Sequence, residues 1–359
     1  MVTIKEIAKH CNVSIATVSN IINGKPNASK ETKERVLQAI EELNYTPNYI
    51  AKNLKTRRTR TIGVVVEDIT VFCAPEIIDG ITKCCEEKGY HILLTNLRLY
   101  KKFGDSYYDN EKFFQMVRRE VKELIAKQVD GIVYVTAHER ALKCLPENLT
   151  VPASMAYGYT KSEHYPSVVV DDKKGAYEIV NYVISMGHKN IGVITGKERS
   201  IHTHDRLLGY QKALYDHSLF FNPDVIVEGG WTREGGYAAT DRLLEQKVTA
   251  IFCMNDIMAG GVYDRLEELG LVPGQDVSVV GFDNRELSNY YKPPLTTTAL
   301  PLYEIGYTAC ANVIEKVESE EKTKESEKGK TGQIIEIPES CKLLIRQSVK
   351  DIREVQGKL

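Results

Sequence analysis

The chain has 359 residues, 42% of them hydrophobic, which is enough for two or three domains with real cores. Residues 1–60 carry 11 Lys and Arg against five Asp and Glu, a net +6, leaving −8 on the other 299 residues of a chain whose total is −2; a basic segment on an acidic body is the electrostatic footprint of a nucleic-acid binder. A membrane span is excluded because no run of about 18 apolar residues occurs, and the eight cysteines, without CxxC pairs or zinc spacing, read as small buried hydrophobes in a reducing cytoplasm rather than as a disulfide framework.

In chain order, the first element is a short amphipathic helix over residues 3–10. Thr3 and Glu6 form a capping box, and Ile4, Ile7 and Ala8 share a face. Asn12 suits a left-handed turn residue, and Ser14 caps a second short helix over 15–23. Val13, Val18, Ile21 and Ile22 are placed in a small core, leaving Ile15, Ala16, Thr17 and Asn20 outward. Two short helices joined by a tight turn make a helix-turn-helix, a device for laying a helix in the DNA major groove. Ser29 and Thr32 open a third helix, Lys30 to Leu43, with Val36, Leu37, Ile40 and Leu43 at helical spacing. These elements make residues 1–45 an all-α DNA-binding domain. Residues 46–60 follow as a hinge: Thr46 and Pro47 start a helix too short to hold alone, and Thr56 to Arg60 is a basic linker.

From Thr61 the texture changes to alternating strands and helices, with strands at 62–66, 90–95, 131–135, 153–156, 168–170, 191–194, 225–227, 250–253 and 278–282. Helices are predicted over 75–89, 111–128, 175–186, 206–217, 232–246 and 258–269. Repeated β-α-β units with Val/Ile runs mean parallel sheets covered by helices. Two such sheets form two lobes facing a cleft, one over 61–160 with part of the C-terminal region and one over 161–290 with the remainder. Open α/β sheets bind ligands at the carboxyl ends of their strands. Leu99 to Asn110 reads as an unpatterned loop. Glu315 to Gln333, nearly all Glu, Lys, Ser, Thr and Gly, reads as a surface loop.

The chain resembles the lactose-repressor/galactose-repressor family of bacterial regulators. Thr3-Ile-Lys-Glu-Ile-Ala, Val13-Ser-Ile-Ala-Thr-Val-Ser19 and Asn23-Gly24 match its DNA-binding signature. Val129-Asp-Gly-Ile, Met186-Gly-His, Ile191-Gly-Val-Ile-Thr-Gly196, Arg206-Leu-Leu-Gly-Tyr210, Asn255-Asp256, Val280-Gly-Phe-Asp283 and Pro294-Leu-Thr-Thr297 follow in family order. The resemblance implies a cytoplasmic homodimer that binds a pseudo-palindromic double-stranded operator. It also implies a core like periplasmic sugar-binding proteins, holding a small effector that is most readily a carbohydrate and alternatively a nucleobase or other corepressor.

Roles carried over by resemblance put Ile15, Ala16 and Asn20 on bases and Thr3, Ser14, Thr17 and Asn23 on phosphates. Leu54 becomes a minor-groove wedge, with Ala51, Lys52 and Lys55 beside it. In the cleft, Arg206, Asn255, Asp283 and Trp231 become clamp and stacking positions and Asp171 a strand-end acid. Ala74 falls in the Phe72-Cys73-Ala74-Pro75 stretch that stands where many members line the cleft with an aromatic pair. Residue chemistry leaves alternatives open: Asn20 on a phosphate, Trp231 in a core, Asp283 as a helix cap.

An enzyme is the first rival. There is no nucleophile elbow and no HExxH, and Gly329-Lys330-Thr331 lacks the leading glycine of a phosphate loop. His202 and His204 have metal-ligand chemistry, but two histidines with no third ligand are a weak set. No catalytic residue, metal or resident cofactor is expected. An exported solute-binding protein is the second rival, and the polar, helical N-terminus argues against it.

Overall fold

The computed structural model describes residues 2–353, except 23, 27, 46–57, 105, 108–109, 147, 161–164, 323–333 and 337–340. The backbone divides into two compact units, Met1–Thr59 and Arg60–Leu359.

The N-terminal unit is three helices, α1 (Ile4–His10), α2 (Ile15–Ile22) and α3 (Lys30–Glu42). Each start is fixed by a hydroxyl. Thr3 Oγ1 accepts from Glu6 N while Glu6 Oε2 accepts from Thr3 N at 2.7 Å; Ser14 Oγ accepts from Thr17 N at 3.0 Å; Ser29 Oγ accepts from Thr32 N at 3.2 Å. Asn12 makes the turn with φ +51°. Ile7, Ala8, Cys11, Val18, Ile21, Val36 and Ala39 are buried together, with Val13 and Ile22 at the edge. Leu37, at helical spacing in α3, is exposed, and Ala39, three residues after Val36, takes the inward place.

The second unit holds a six-stranded sheet ordered β13-β7-β5-β3-β1-β2 and a four-stranded sheet ordered β11-β10-β8-β9. The first comprises β1 (Thr61–Val66), β2 (His91–Asn96), β3 (Gly131–Val135), β5 (Ala153–Ala156), β7 (Ser167–Val169) and β13 (Ile334–Glu336). The second comprises β8 (Ile191–Thr195), β9 (Ile226–Glu228), β10 (Ala250–Cys253) and β11 (Ser278–Val280). Every pairing in both sheets is parallel. Short pairs β4 (Ala141–Leu142) with β6 (Tyr159–Thr160) and β12 (Thr297–Ala299) with β14 (Lys342–Leu344) complete the strands. The covering helices are α4 (Ala74–Lys88), α5 (Leu99–Phe103), α6 (Glu111–Ala126), α7 (Asp172–Ser185), α8 (Ile201–Asp216), α9 (Arg233–Glu245), α10 (Asp256–Glu268) and α11 (Leu302–Lys322).

Three expectations change. Residues 167–169, assigned from sequence to the second lobe, hydrogen-bond into the first sheet, so the chain crosses between sheets at 170–171. The supposed loop 99–110 contains α5, and its apolar residues pack: Leu99 and Tyr107 are buried with Phe113, and Tyr100 and Phe103 lie against them. The supposed loop 315–333 is helical as far as Lys322, anchored by buried Val317 in the last turns of α11; 323–333 lie outside the described residues.

Helices α4 and α11 approach at backbone distance. A β-carbon at Gly306 would stand 1.9 Å from the Ile77 carbonyl oxygen, and one at Gly80 would stand 2.0 Å from that of Tyr303. Gly306→Ala must therefore push two helices apart. Overpacking of this kind costs about 1–3 kcal/mol, so its urea midpoint should fall accordingly, and an unchanged midpoint would contradict the close approach. The thiols of Cys11, Cys73, Cys84, Cys85, Cys144, Cys253 and Cys310 are free and buried, and Cys341 is half-buried. Among the described residues no helix is long and apolar enough to cross a membrane.

Candidate functional sites

On the N-terminal unit, burial of Val18 and Ile21 turns Ile15 and Ala16 to solvent, with Ile15 46% exposed and Thr17 and Asn20 half-buried. An apolar pair next to an amide and hydroxyls is chemistry suited to base edges and phosphates. Thr3 and Ser14 are also helix caps, so their hydroxyls hold the fold as well as facing outward. Asn23, Ala51, Lys52, Leu54 and Lys55 lie outside the described residues.

In the second unit the two lobes meet through specific groups. The Tyr157 ring, just after β5, lies 5.5 Å from the His202 ring on α8. The Arg285 guanidinium, after β11, sits 4.3 Å from the Phe72 ring centre, after β1. Beside them Arg206 is buried, 2% exposed. Its Nε donates to Asp172 Oδ1 at 2.7 Å, and its Nη1 donates to the Met254 carbonyl and, at 3.4 Å, to Asp283 Oδ1. Its guanidinium lies 3.8 Å from the Phe282 ring centre and 5.7 Å from that of Trp231. Among the described residues nothing accepts from Nη2, so one donor of the fork is left over.

α8 begins at Ile201, five residues earlier than predicted, and this puts His202 and Arg206 one turn apart on the same face. Asp172 receives both: His202 Nδ1 bonds to its Oδ2. Burial alone would raise the Asp172 carboxyl, but Arg206 and His202 overcome it and hold its pKa below the ordinary value. Burial lifts Asp283 to about 6 against the opposing charge of Arg206. The His202 imidazole would be pushed down by burial, but the Asp172 carboxylate raises it.

The facing wall was not legible in the sequence. Glu67, after β1, is fully buried and takes both arms of Arg140, Nη2 to Oε1 at 2.5 Å and Nη1 to Oε2 at 2.9 Å. It also accepts from the Tyr134 hydroxyl and from Ala137 N, both at 2.8 Å. Glu139, on the same loop after β3, is 8% exposed and accepts from Val170 N at 3.4 Å. Burial raises its carboxyl to about 7. Among the described residues His202 Nε2 is buried without a hydrogen-bond partner, which costs about 1–3 kcal/mol if uncompensated.

Of the expected cleft residues, Arg206, Asp283 and Trp231 come together. Asn255 acts through its neighbours: its Oδ1 accepts from Met258 N to cap α10 and its Nδ2 donates to the Trp231 carbonyl at 3.3 Å, steadying a residue at φ +74°. Trp231 in turn lies flat on Gly196, where a β-carbon would meet the indole at 1.9 Å. The acidic position shifts by one. Asp171 is the N-cap of α7, its side chain folded back on Lys174 N, whereas Asp172 at the next position points inward to Arg206. Ala74 is buried in the first turn of α4, within the core.

Residues 3–48 match the model of bacterial regulatory proteins of the lacI family, and residues 180–349 match a periplasmic binding protein-like domain. The chain is 32% identical over 328 residues to the HTH-type transcriptional repressor PurR of Vibrio campbellii, covering 90% of this chain and 94% of that one. It is 35% identical over 316 residues to catabolite control protein A of Priestia megaterium, covering 86% and 90%. The lac repressor dimer bound to operator and an anti-inducer shares the fold, with TM-score 0.75 over 97% of this chain and 99% of that chain at 24% identity. A cellobiose complex of the regulator CelR aligns with TM-score 0.63 at 25% identity over 97% of this chain and 100% of that chain.

Proposed function

From the premise that this chain belongs to the lacI family of bacterial regulatory proteins, we propose that it is a homodimeric repressor of a pseudo-palindromic operator, its grip set by a small carbohydrate held between the lobes of the second unit. As a family member it is a DNA-binding transcriptional regulator with a ligand-binding core. The relatives are named as regulators, and from work on DNA we infer a cytoplasmic protein that is not an enzyme.

The observation that carries the ligand reading is the buried Arg206 fork. It is braced by Asp172 and Asp283 with Nη2 left over, beside the Trp231 face. A rigid donor fork between carboxylate acceptors and an apolar ring suits vicinal hydroxyls. The test is operator binding by the full chain, followed by fluorescence anisotropy against a panel of mono- and disaccharides and nucleobases. A shift by a sugar supports the reading; a shift by a nucleobase alone replaces the ligand class. The sign of the shift separates inducer from corepressor.

For the DNA, we assign base reading to Ile15, Ala16 and Asn20. Phosphate contact goes to Thr3, Ser14, Thr17 and Asn23, and the minor-groove wedge to Leu54 with Ala51, Lys52 and Lys55 alongside. Exposed Ile15 and Ala16 suit thymine methyls, and the Asn20 amide pairs bidentately with adenine. Asn20→Ala should cost about 1–3 kcal/mol and relax preference at one base pair. Selection of binding sites with both proteins checks this. Weakening of all sequences alike would make Asn20 a phosphate contact.

A further inference from the structure

We propose that Cys85 and Cys310 are a reversible oxidation site, a thiol pair that a hydroperoxide converts into a disulfide joining α4 to α11. Their sulfurs are 3.5 Å apart although the residues stand 225 positions apart in the chain, one on each helix. Cys84 hydrogen-bonds the same Cys310 thiol, which holds the Cys84 thiol below its usual pKa, and all three residues are buried.

Local sequence explains the closeness. Gly80 and Gly306 set backbone against backbone, with no room for a β-carbon at either. Cys84 and Cys310 each follow one of these glycines by four residues, one turn on along the same face, and Cys85 is next in the chain. A disulfide bridges α-carbons only about 4.4–6.8 Å apart, and the close approach of the helices is what brings the two sulfurs into contact. Elsewhere the cysteines are placed differently. Among the described residues Cys11, Cys73 and Cys341 donate to carbonyl oxygens and Cys144 to the Tyr134 hydroxyl, so an oxidised sulfur there has no second thiol at hand.

The chemistry needs one hydroperoxide. One thiol loses its proton and its sulfur attacks a peroxide oxygen; the O–O bond breaks, an alcohol or water leaves, and a sulfenic acid remains. The facing thiol loses its proton and attacks that sulfur; the S–O bond breaks, water leaves and the S–S bond forms. Two electrons pass from the sulfur pair to the peroxide. A resolving thiol at 3.5 Å stops the ladder at its reversible rung, before sulfinic acid. Because both sulfurs are sealed, the reaction waits on opening of the helix pair. Disulfides that form in a reducing compartment are of this transient, redox-sensing kind.

The test treats the full reduced chain, without DNA, with hydrogen peroxide, blocks the remaining thiols under denaturing conditions and maps non-reduced peptides by mass spectrometry. One Cys85–Cys310 link per chain is expected, reversed by dithiothreitol, retained in Cys84→Ala and lost in Cys85→Ala and Cys310→Ala. Amide exchange over α4 and α11 should slow at least about 10-fold in the bridged chain. Wild-type mapping needs no variant, so it decides the matter if one fails to fold. No link in wild type, sulfinic or sulfonic acid alone at these cysteines, a link to Cys310 that persists in Cys85→Ala, equally ready bridging among the other cysteines, or unchanged amide exchange would each overturn the proposal.

Discussion

Replacing Arg206 with lysine will sharply weaken the effector response while leaving operator binding intact. Lysine keeps the charge that Asp172 and Asp283 require but loses the planar fork that bonds Asp172 through Nε and Asp283 through Nη1. Loss of a buried, hydrogen-bonded charge contact costs about 2–5 kcal/mol, so the effector concentration needed for a half-maximal response should rise at least about 30-fold. Arg206→Ala goes further and strands two buried carboxylates, a change that destabilises by about 3–5 kcal/mol. Its pH dependence has a definite sign. Burial already raises Asp283 to about 6 with Arg206 opposing, so without Arg206 it rises further. A carboxyl whose folded value exceeds its unfolded one stabilises the fold at low pH and loses that contribution as pH climbs. The stability deficit of Arg206→Ala against wild type should therefore narrow on acidification, as read from urea midpoints. A lysine variant that answers effector like wild type would place the ligand elsewhere.

Arg140→Ala should be the most destabilising single change in the first lobe. Its guanidinium is the bidentate partner of fully buried Glu67 and lies 4.9 Å from the Tyr107 ring centre. Removing it leaves a carboxylate with, among the described residues, only Tyr134 and Ala137 as donors, and breaking a buried pair this way costs about 3–5 kcal/mol. Removing both charges is different in kind, because the desolvation penalty disappears with the pair. Arg140→Met combined with Glu67→Gln should recover most of the loss. Urea denaturation of wild type, single and double variants checks this, and a double variant no better than Arg140→Ala would mean that the arginine acts through packing instead.

Much of this was legible beforehand, and the reasons differ by element. The three N-terminal helices announce themselves because hydroxyl caps at Thr3, Ser14 and Ser29 precede short apolar periods, and caps are local chemistry. Parallel strands announce themselves as Val/Ile runs. Arg206, Trp231 and Asp283 are cleft positions by resemblance, and the structure brings these side chains together. What escaped was tertiary. Asp171 and Asp172 are equivalent in sequence, and only the start of α7 decides which caps the helix and which faces Arg206. His202 looked like half of an incomplete pair with His204, because its carboxylate neighbours are 30 and 63 residues away in the chain. Glu67 and Arg140 carry no motif at all, and a salt bridge across 73 residues leaves no local trace. The charged stretch after Glu315 misled because composition outweighed one inward valine, Val317.

The burial of the cysteines equips this protein with built-in reporters. A thiol that is sealed in the native state reacts with an alkylating reagent only when its surroundings open, so labelling rates measure the free energy of local opening. Cys11 is the N-terminal unit's cysteine, Cys84, Cys85 and Cys310 lie between α4 and α11, and Cys253 ends β10 in the second sheet. Peptide-resolved alkylation of the unmodified chain can therefore time the breathing of the DNA-reading unit, the first lobe and the second lobe separately, with no dye or engineered residue, and ask which of the three is slowed when an effector binds.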